Sequence, residues 1–282
     1  LRHVSILACE PVKSRRGVRV GRDTVHAYGM TPDPLPPYAE LHCLSAFSFL
    51  RGASHPEELV ERARMQGYAA LAITDECSLA GVVRAHLAAK DAGLPLVIGS
   101  EFTLDDGLRL VLHAVDRDSY GDLAALITRA RRRASKGHYV VTRDDVAELG
   151  RRCLALWIPG AAIAADEARF CADTFGANAA MAAELFARGG ERARLADLAA
   201  TSRATGLALV AAGDVHMHVR ARRMLQDTLT AIRVSRVARS TRAWREDPAA
   251  APAAEVAEGL IGLAGVRSVR QATRRSPAAR RR

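Results

Sequence analysis

The chain is poor in the residues that staple small domains. Its five cysteines, Cys9, Cys43, Cys77, Cys153 and Cys171, never form a CxxC pair, and their number is odd. That argues against a zinc ribbon or a disulfide framework and makes a reducing cytoplasm the natural setting. Aromatic residues make up only 5% of the sequence although 49% is hydrophobic, so alanine carries much of the apolar fraction. No apolar run approaches the roughly 20 residues needed to span a bilayer, and no membrane partner is expected. No charged, apolar and small-residue series of a secretory signal opens the chain. It starts at Leu1 and not at methionine, as expected where the true start is missing or a non-Met start codon is used.

What is abundant is arginine, and its placement matters more than its number. The formal charge is +10. From Val234 to Arg282 there are eleven arginines, no lysine and four acids, so +7 of that charge sits in the last stretch. The rest is close to balanced, which weakens a nucleic-acid reading of the folded part. Three segments follow. Residues 1–37 lack a clear period and end in the proline-rich PDPLPP, an extended lead-in. Residues 38–233 carry the patterning of a domain. Residues 234–282 are rich in Ala and Arg, and read as a disordered basic tail or as the product of a shift in reading frame after Arg233.

Within the domain, β and α patterns alternate, as a parallel sheet or barrel requires. Strands are expected at Tyr38–His42, Ala69–Thr74, Leu94–Gly99, Leu108–Val115, Cys153–Ile158 and Leu207–Ala212. Ala179–Phe186 fits either helix or strand. Helices are expected from Ser54, as N-cap with Glu57 closing a capping box, to Gly67, and over Leu79–Ala92, Tyr120–Arg133, Asp166–Phe175, Gly190–Thr205 and Val219–Arg233.

Several side chains able to hold a metal fall at strand ends. His42, Asp75, Glu101 and the run GDVHMH, with Asp214, His216 and His218, each follow a β-segment. In barrel-like α/β folds that rim gathers functional loops. Clustered His, Asp and Glu are what metal phosphoesterases need, because carboxylates bridge cations and imidazole completes the shell. Asp75 could equally cap the following helix. His218 reads as a hydrogen-bonded rim residue, and Cys43, Cys77 and Cys153 as packing residues. Arg131–Arg133 and Arg220–Arg223 read as solvated helix faces.

The stretches ELHCLSAFSFLRGASHPEELVERA, GYAALAITDECSLAGVVRAH, GLPLVIGSEF, CLALWIPG and GLALVAAGDVHMHVRARRMLQDTLTAIR resemble the PHP domain of the alpha subunit of bacterial C-family DNA polymerases, the error-prone branch most closely. The resemblance implies a PHP-type distorted (β/α)7 barrel. It also implies a three-ion centre, which this sequence meets only in part. His42 matches the first histidine of a His-x-His motif, but Leu44 stands where the second belongs. Arg51 occupies a further ligand position, Glu76 replaces the histidine of Thr-Asp-His, and Arg109 replaces another. His113, two pleats from Arg109, could stand in only with a shift in geometry. Pro159 aligns with one more lost ligand.

The residual set is therefore His42, Glu101, Asp214 and His216. Arg51, Arg109 and Glu76 are candidates to replace lost ligands or their charge, with Arg51 or Arg109 expected to pair with Glu101 or Asp214. No cofactor is expected in such a set beyond one divalent cation (Zn, Mn or Mg), the most it would hold. The resemblance further implies DNA as partner through a full-length polymerase, with a sliding clamp and accessory mutagenesis proteins. The alternative is a metal-dependent phosphoesterase or 3′–5′ exonuclease.

Overall fold

A computed structural model describes residues 37–186 and 189–246. Seven strands form one sheet in chain order: β1 Ala39–Glu40, β2 Ala70–Ile73, β3 Leu96–Thr103, β4 Arg109–Ala114, β5 Leu154–Trp157, β6 Ala179–Ala183 and β7 Ala208–Ala211. All neighbours pair in parallel except β4, which runs antiparallel to both β3 and β5. The sheet nearly closes on itself. Cys43, just past β1, bridges Val215, just past β7. Leu44 N–H donates to Val215 O at 2.8 Å and Val215 N–H to His42 O at 2.9 Å. The seam is thus made at the carboxyl ends of the first and last strands, and this is the end that carries the site.

Helices α1 Pro56–Met65, α2 Val82–Ala92, α3 Arg117–Arg133, α4 Arg143–Leu149, α5 Ala165–Phe175 and α6 Glu191–Thr205 cover the outside, and α7 Arg223–Glu246 follows the last strand. The N-cap of α1 is His55, whose N–H donates to Glu58 Oε2 at 2.8 Å, one residue later than the Ser54–Glu57 pairing read from the sequence. Ser54 is buried and accepts instead from His218 N–H at 2.9 Å, because the loop folds it toward the seam. α3 begins three residues before Tyr120, where Asp116 accepts from Ser119 N–H. α4 was not expected from the sequence. It is a seven-residue helix capped by Thr142, too short to show a period. The ambiguous alanine run is strand β6, since its backbone pairs with β5 and β7 and ladder bonding overrides the helix preference of alanine. α7 continues to Glu246, past the Arg233 boundary; the sequence expectations for residues 1–36 and for the tail beyond Glu246 lie outside the described residues.

Three apolar clusters fill the fold. The largest packs alternate residues of β3 to β5 (Phe102, Leu110, Leu112, Ala155, Trp157) against α3 through α5. A second seals α1 and α2 onto β2. The third fills the barrel interior with Val111, Leu156, Ala180, Ala182 and Ala212. Small interior side chains suit a tight barrel, which accounts for the alanine-rich strands. Cys43, Cys77, Cys153 and Cys171 are free and buried. No helix among the described residues is long and apolar enough to cross a membrane.

Candidate functional site

The mouth of the barrel holds a buried charged layer built on Glu101. This residue lies on β3, fully buried, opposite Val111 of β4. A lone carboxylate there would be prohibitively costly, so its partners define the site. Arg51 Nη1 donates to Oε1 at 2.8 Å and Nη2 to Oε2 at 3.0 Å, a fork matched to a carboxylate. Arg109 Nη2 adds a longer bond at 3.3 Å, and His42 Nε2 lies 2.9 Å from Oε2. Burial alone would raise the Glu101 pKa. The Arg51 charge, the His42 hydrogen bond and the Arg109 charge together hold it well below the usual carboxylate range.

His42 is fully buried, and each ring nitrogen faces a carboxylate: Nε2 faces Glu101, and Nδ1 faces Glu184 Oε1 at 2.7 Å. Two acceptors require two N–H donors, so the ring is an imidazolium. Burial opposes that charge, but the bonds to Glu101 and Glu184 and the nearby Asp214 outweigh it and push the pKa up to about 10. Arg51 Nη1 also reaches Glu76 Oε2 at 3.1 Å. Four carboxylates (Glu76, Glu101, Glu184, Asp214) are thus met by three protein cations (Arg51, Arg109, His42).

The loop after β1 delivers Arg51. Leu50 adopts φ +62°, a left-handed conformation costing about 1–2 kcal/mol for a residue with a side chain. It is held by Asp75, whose carboxylate accepts from Ser45 N–H, Ser45 Oγ and Ser48 Oγ at 2.7–2.8 Å. Asp75 therefore anchors the loop and does not face the Glu101 layer. Burial raises its pKa against these bonds. Arg51 O also accepts from Gln226 Nε2 of α7 at 2.7 Å.

Asp214 and His216 come from the loop after β7. Asp214 has φ +46° and binds His216 Nε2 at 2.9 Å. Burial raises its pKa, but the His216 bond and the His42 charge bring it down to about 2. His42, Glu101 and Asp214 each place one possible ligand atom within 4.8 Å of the others. His216 is not in that group and serves as partner to Asp214. His113 is not at the mouth: reversed β4 carries it away from Arg109, opposite Gly99, and its Nε2 binds Leu41 O at 2.8 Å. Burial pushes its pKa down to about 4, so it is neutral. Leu44 is buried in the seam as an aliphatic residue. His218 Nδ1 pairs with Ser54 Oγ at 2.8 Å.

Two residues at this end of the barrel escaped sequence reasoning. Glu184 directly follows β6; reading that alanine run as a strand would have placed it on the rim. Glu40 accepts from His42 N–H and Gly213 N–H, both at 2.9 Å, and from Tyr38 OH at 2.8 Å, tying the first strand to the last. Its only signal was an acid inside a short strand.

A three-ion cluster does not fit these residues. A metal needs free lone pairs on its carboxylate and imidazole ligands. Here both Glu101 oxygens are covered by guanidinium and both His42 nitrogens are engaged by carboxylates.

A family model for the PHP domain matches residues 40–187. The chain belongs to the PHP domain family. An error-prone DNA polymerase of Dechloromonas aromatica (strain RCB) is 55% identical over 205 residues, covering 71% of this chain and 20% of that protein. One from Methylococcus capsulatus (strain ATCC 33009 / NCIMB 11132 / Bath) is 55% identical over 200 residues, covering 71% and 19%. The chain spans about one fifth of the length of these curated relatives. Among solved structures, an amidohydrolase from Chromobacterium violaceum shares the fold at 18% identity and a TM-score of 0.50, over 64% of this chain and 87% of that one.

Proposed function

We propose that this chain is the PHP module of an error-prone DNA polymerase, and that its barrel mouth does structural and not hydrolytic work. The observation that carries the second part is the Arg51 fork on Glu101, with His42 doubly protonated beside it. The relatives' names support the first part. In this reading the module packs against and stabilises the rest of a polymerase that works in damage-induced mutagenesis and repair in the cytoplasm. DNA is met by the whole polymerase, and a sliding clamp and accessory mutagenesis proteins are its partners. The two-metal chemistry of nucleotidyl transfer belongs to parts of the polymerase outside the matched region. The boundaries of the module are residues 38 to about 233, with α7 as its exit.

The chain alone is expected to incorporate no nucleotide on a primer–template and to leave a generic phosphodiester intact when Mn²⁺ or Zn²⁺ is titrated in. Dialysis against a chelator should leave its thermal midpoint unchanged. Metal-dependent hydrolysis would instead favour a phosphoesterase or 3′–5′ exonuclease of the PHP family, the reading that the residual His42, Glu101 and Asp214 group supports.

A further inference from the structure

We propose that Arg51 is an exclusion residue: its guanidinium takes the place of a cation beside His42, Glu101 and Asp214, and removing that one side chain turns the three into a single-ion site for a divalent transition metal. This rests on reading the mouth as lacking a working metal cluster.

The three ligand atoms already lie within 4.8 Å of one another, so the three side chains converge on one place. A mixed imidazole and carboxylate set suits Zn²⁺, Co²⁺ or Mn²⁺. What blocks them is charge and coverage. Arg51 is buried, covers both oxygens of Glu101 and touches Glu76. Its Nε is buried with no hydrogen-bond partner among the described residues. The side chain thus satisfies the carboxylates at the expense of its own hydrogen bonding, as expected of a group retained for charge. Arg109 cannot replace it, since it is about a third exposed and reaches one oxygen only, at 3.3 Å.

Without Arg51, the four carboxylates would keep His42, Arg109 and the His216 bond to Asp214, and Glu101 would lose its closest guanidinium, a buried charge that a divalent ion relieves. An ion there would be held by His42 through a deprotonated Nε2, with Nδ1 left to face Glu184. A carboxylate behind a ligating histidine is the usual orienting arrangement. The outcome is one ion and not three, because Leu44 and Pro159 offer no side-chain donors.

The test titrates Co²⁺ into the full chain by calorimetry, with the cobalt visible spectrum as second readout, for the unaltered protein, Arg51→Ala, Arg51→Gln and Arg51→Ala combined with Glu101→Gln. Circular dichroism checks that each is folded. The expected result is one ion per chain in both single variants, bound at least tenfold more tightly than by the unaltered chain, with the gain abolished by Glu101→Gln. Should the single variants unfold without metal, recovery of their thermal transition on adding Co²⁺ carries the same meaning. Equal affinity in the unaltered chain, no gain in folded single variants, a gain that survives Glu101→Gln, or single variants that stay unfolded in excess Co²⁺ would each overturn the assignment. Failure of cobalt uptake leaves the polymerase-module reading standing. That reading falls only if the unaltered chain hydrolyses phosphodiesters or incorporates nucleotides.

Discussion

Two histidines inside the barrel are held in opposite protonation states. His42 is an imidazolium because carboxylates face both of its nitrogens. His113 is neutral because burial outweighs its single bond to Leu41 O. Their linkage to folding has opposite signs. The folded-state pKa of His42 is raised from 6.5 to about 10, so its stabilisation is full below 6.5 and is lost as pH rises through 10. That of His113 is lowered from 6.5 to about 4, so its contribution is full above 6.5 and is lost as pH falls toward 4. Urea unfolding at pH 4.5, 6.5 and 9 should therefore show greatest stability near pH 6.5, with a loss on either side. His113→Gln should flatten the acid limb and leave the alkaline limb in place. A monotonic profile across that range would count against this account of the two rings. His42, Glu101 and Asp214 could be picked out from the sequence as members of one group. Glu184 could not, because its place on the rim depends on an alanine run whose conformation only strand pairing decides.

At the scale of elements, the start of α2 sets local propensity against packing. Gly81 is its N-cap, with φ −79°, a conformation any residue adopts. On helix propensity and unfolded-state entropy alone, Gly81→Ala would be neutral or stabilising by up to about 1 kcal/mol. The space says otherwise. A Cβ at Gly81 would sit 2.7 Å from Asp75 Oδ2 and 3.1 Å from Ser45 Oγ, inside the knot that holds the Arg51 loop. We expect Gly81→Ala to destabilise the fold by about 1–3 kcal/mol, read as a fall in the urea midpoint at unchanged m-value. An unchanged or raised midpoint would show that the knot yields easily. The helices α2, α5 and α6 were legible within a few residues because each has an apolar face or a glycine stop. The cap of α1 shifted by one residue, since Ser54 was drawn into the seam by His218, a partner 164 residues away in sequence.

For the molecule as a whole, stability turns on the closure between first and last strands. β1 is only two residues long, so ladder bonds alone give little. Glu40 supplies a cross-link by accepting from Gly213 N–H beyond β7 and from His42 N–H. The Cβ that Gly213 lacks would collide with that carboxylate, so the backbone approaches as closely as it does because the residue is glycine. Burial raises the Glu40 pKa, opposed by bonds from His42, Gly213 and Tyr38. Glu40→Ala leaves the buried His42 N–H and the half-buried Gly213 N–H without their acceptor and should cost about 2–4 kcal/mol. Amide exchange at His42, Leu44 and Val215 should accelerate before exchange within β3 and β4. Uniform acceleration across the sheet would mean that the seam does not open on its own.

The alternation of strand and helix patterns and the identities of Leu44, Arg51 and Arg109, whose side chains offer a metal no lone pair, were set by local chemistry, which side chains carry wherever the chain goes. The pairing of Arg51 or Arg109 with Glu101 or Asp214 was expected from the sequence, and the tertiary structure decided that both arginines meet Glu101. It reversed β4, which brought Arg109 to the mouth and took His113 away. It set Glu184 against His42 across 142 residues of sequence, and it aimed Arg51 at Glu101 through a strained turn. The physical reason is that an ion pair is worth little in water and much when buried, and burial belongs to the folded molecule and to no single stretch of its sequence.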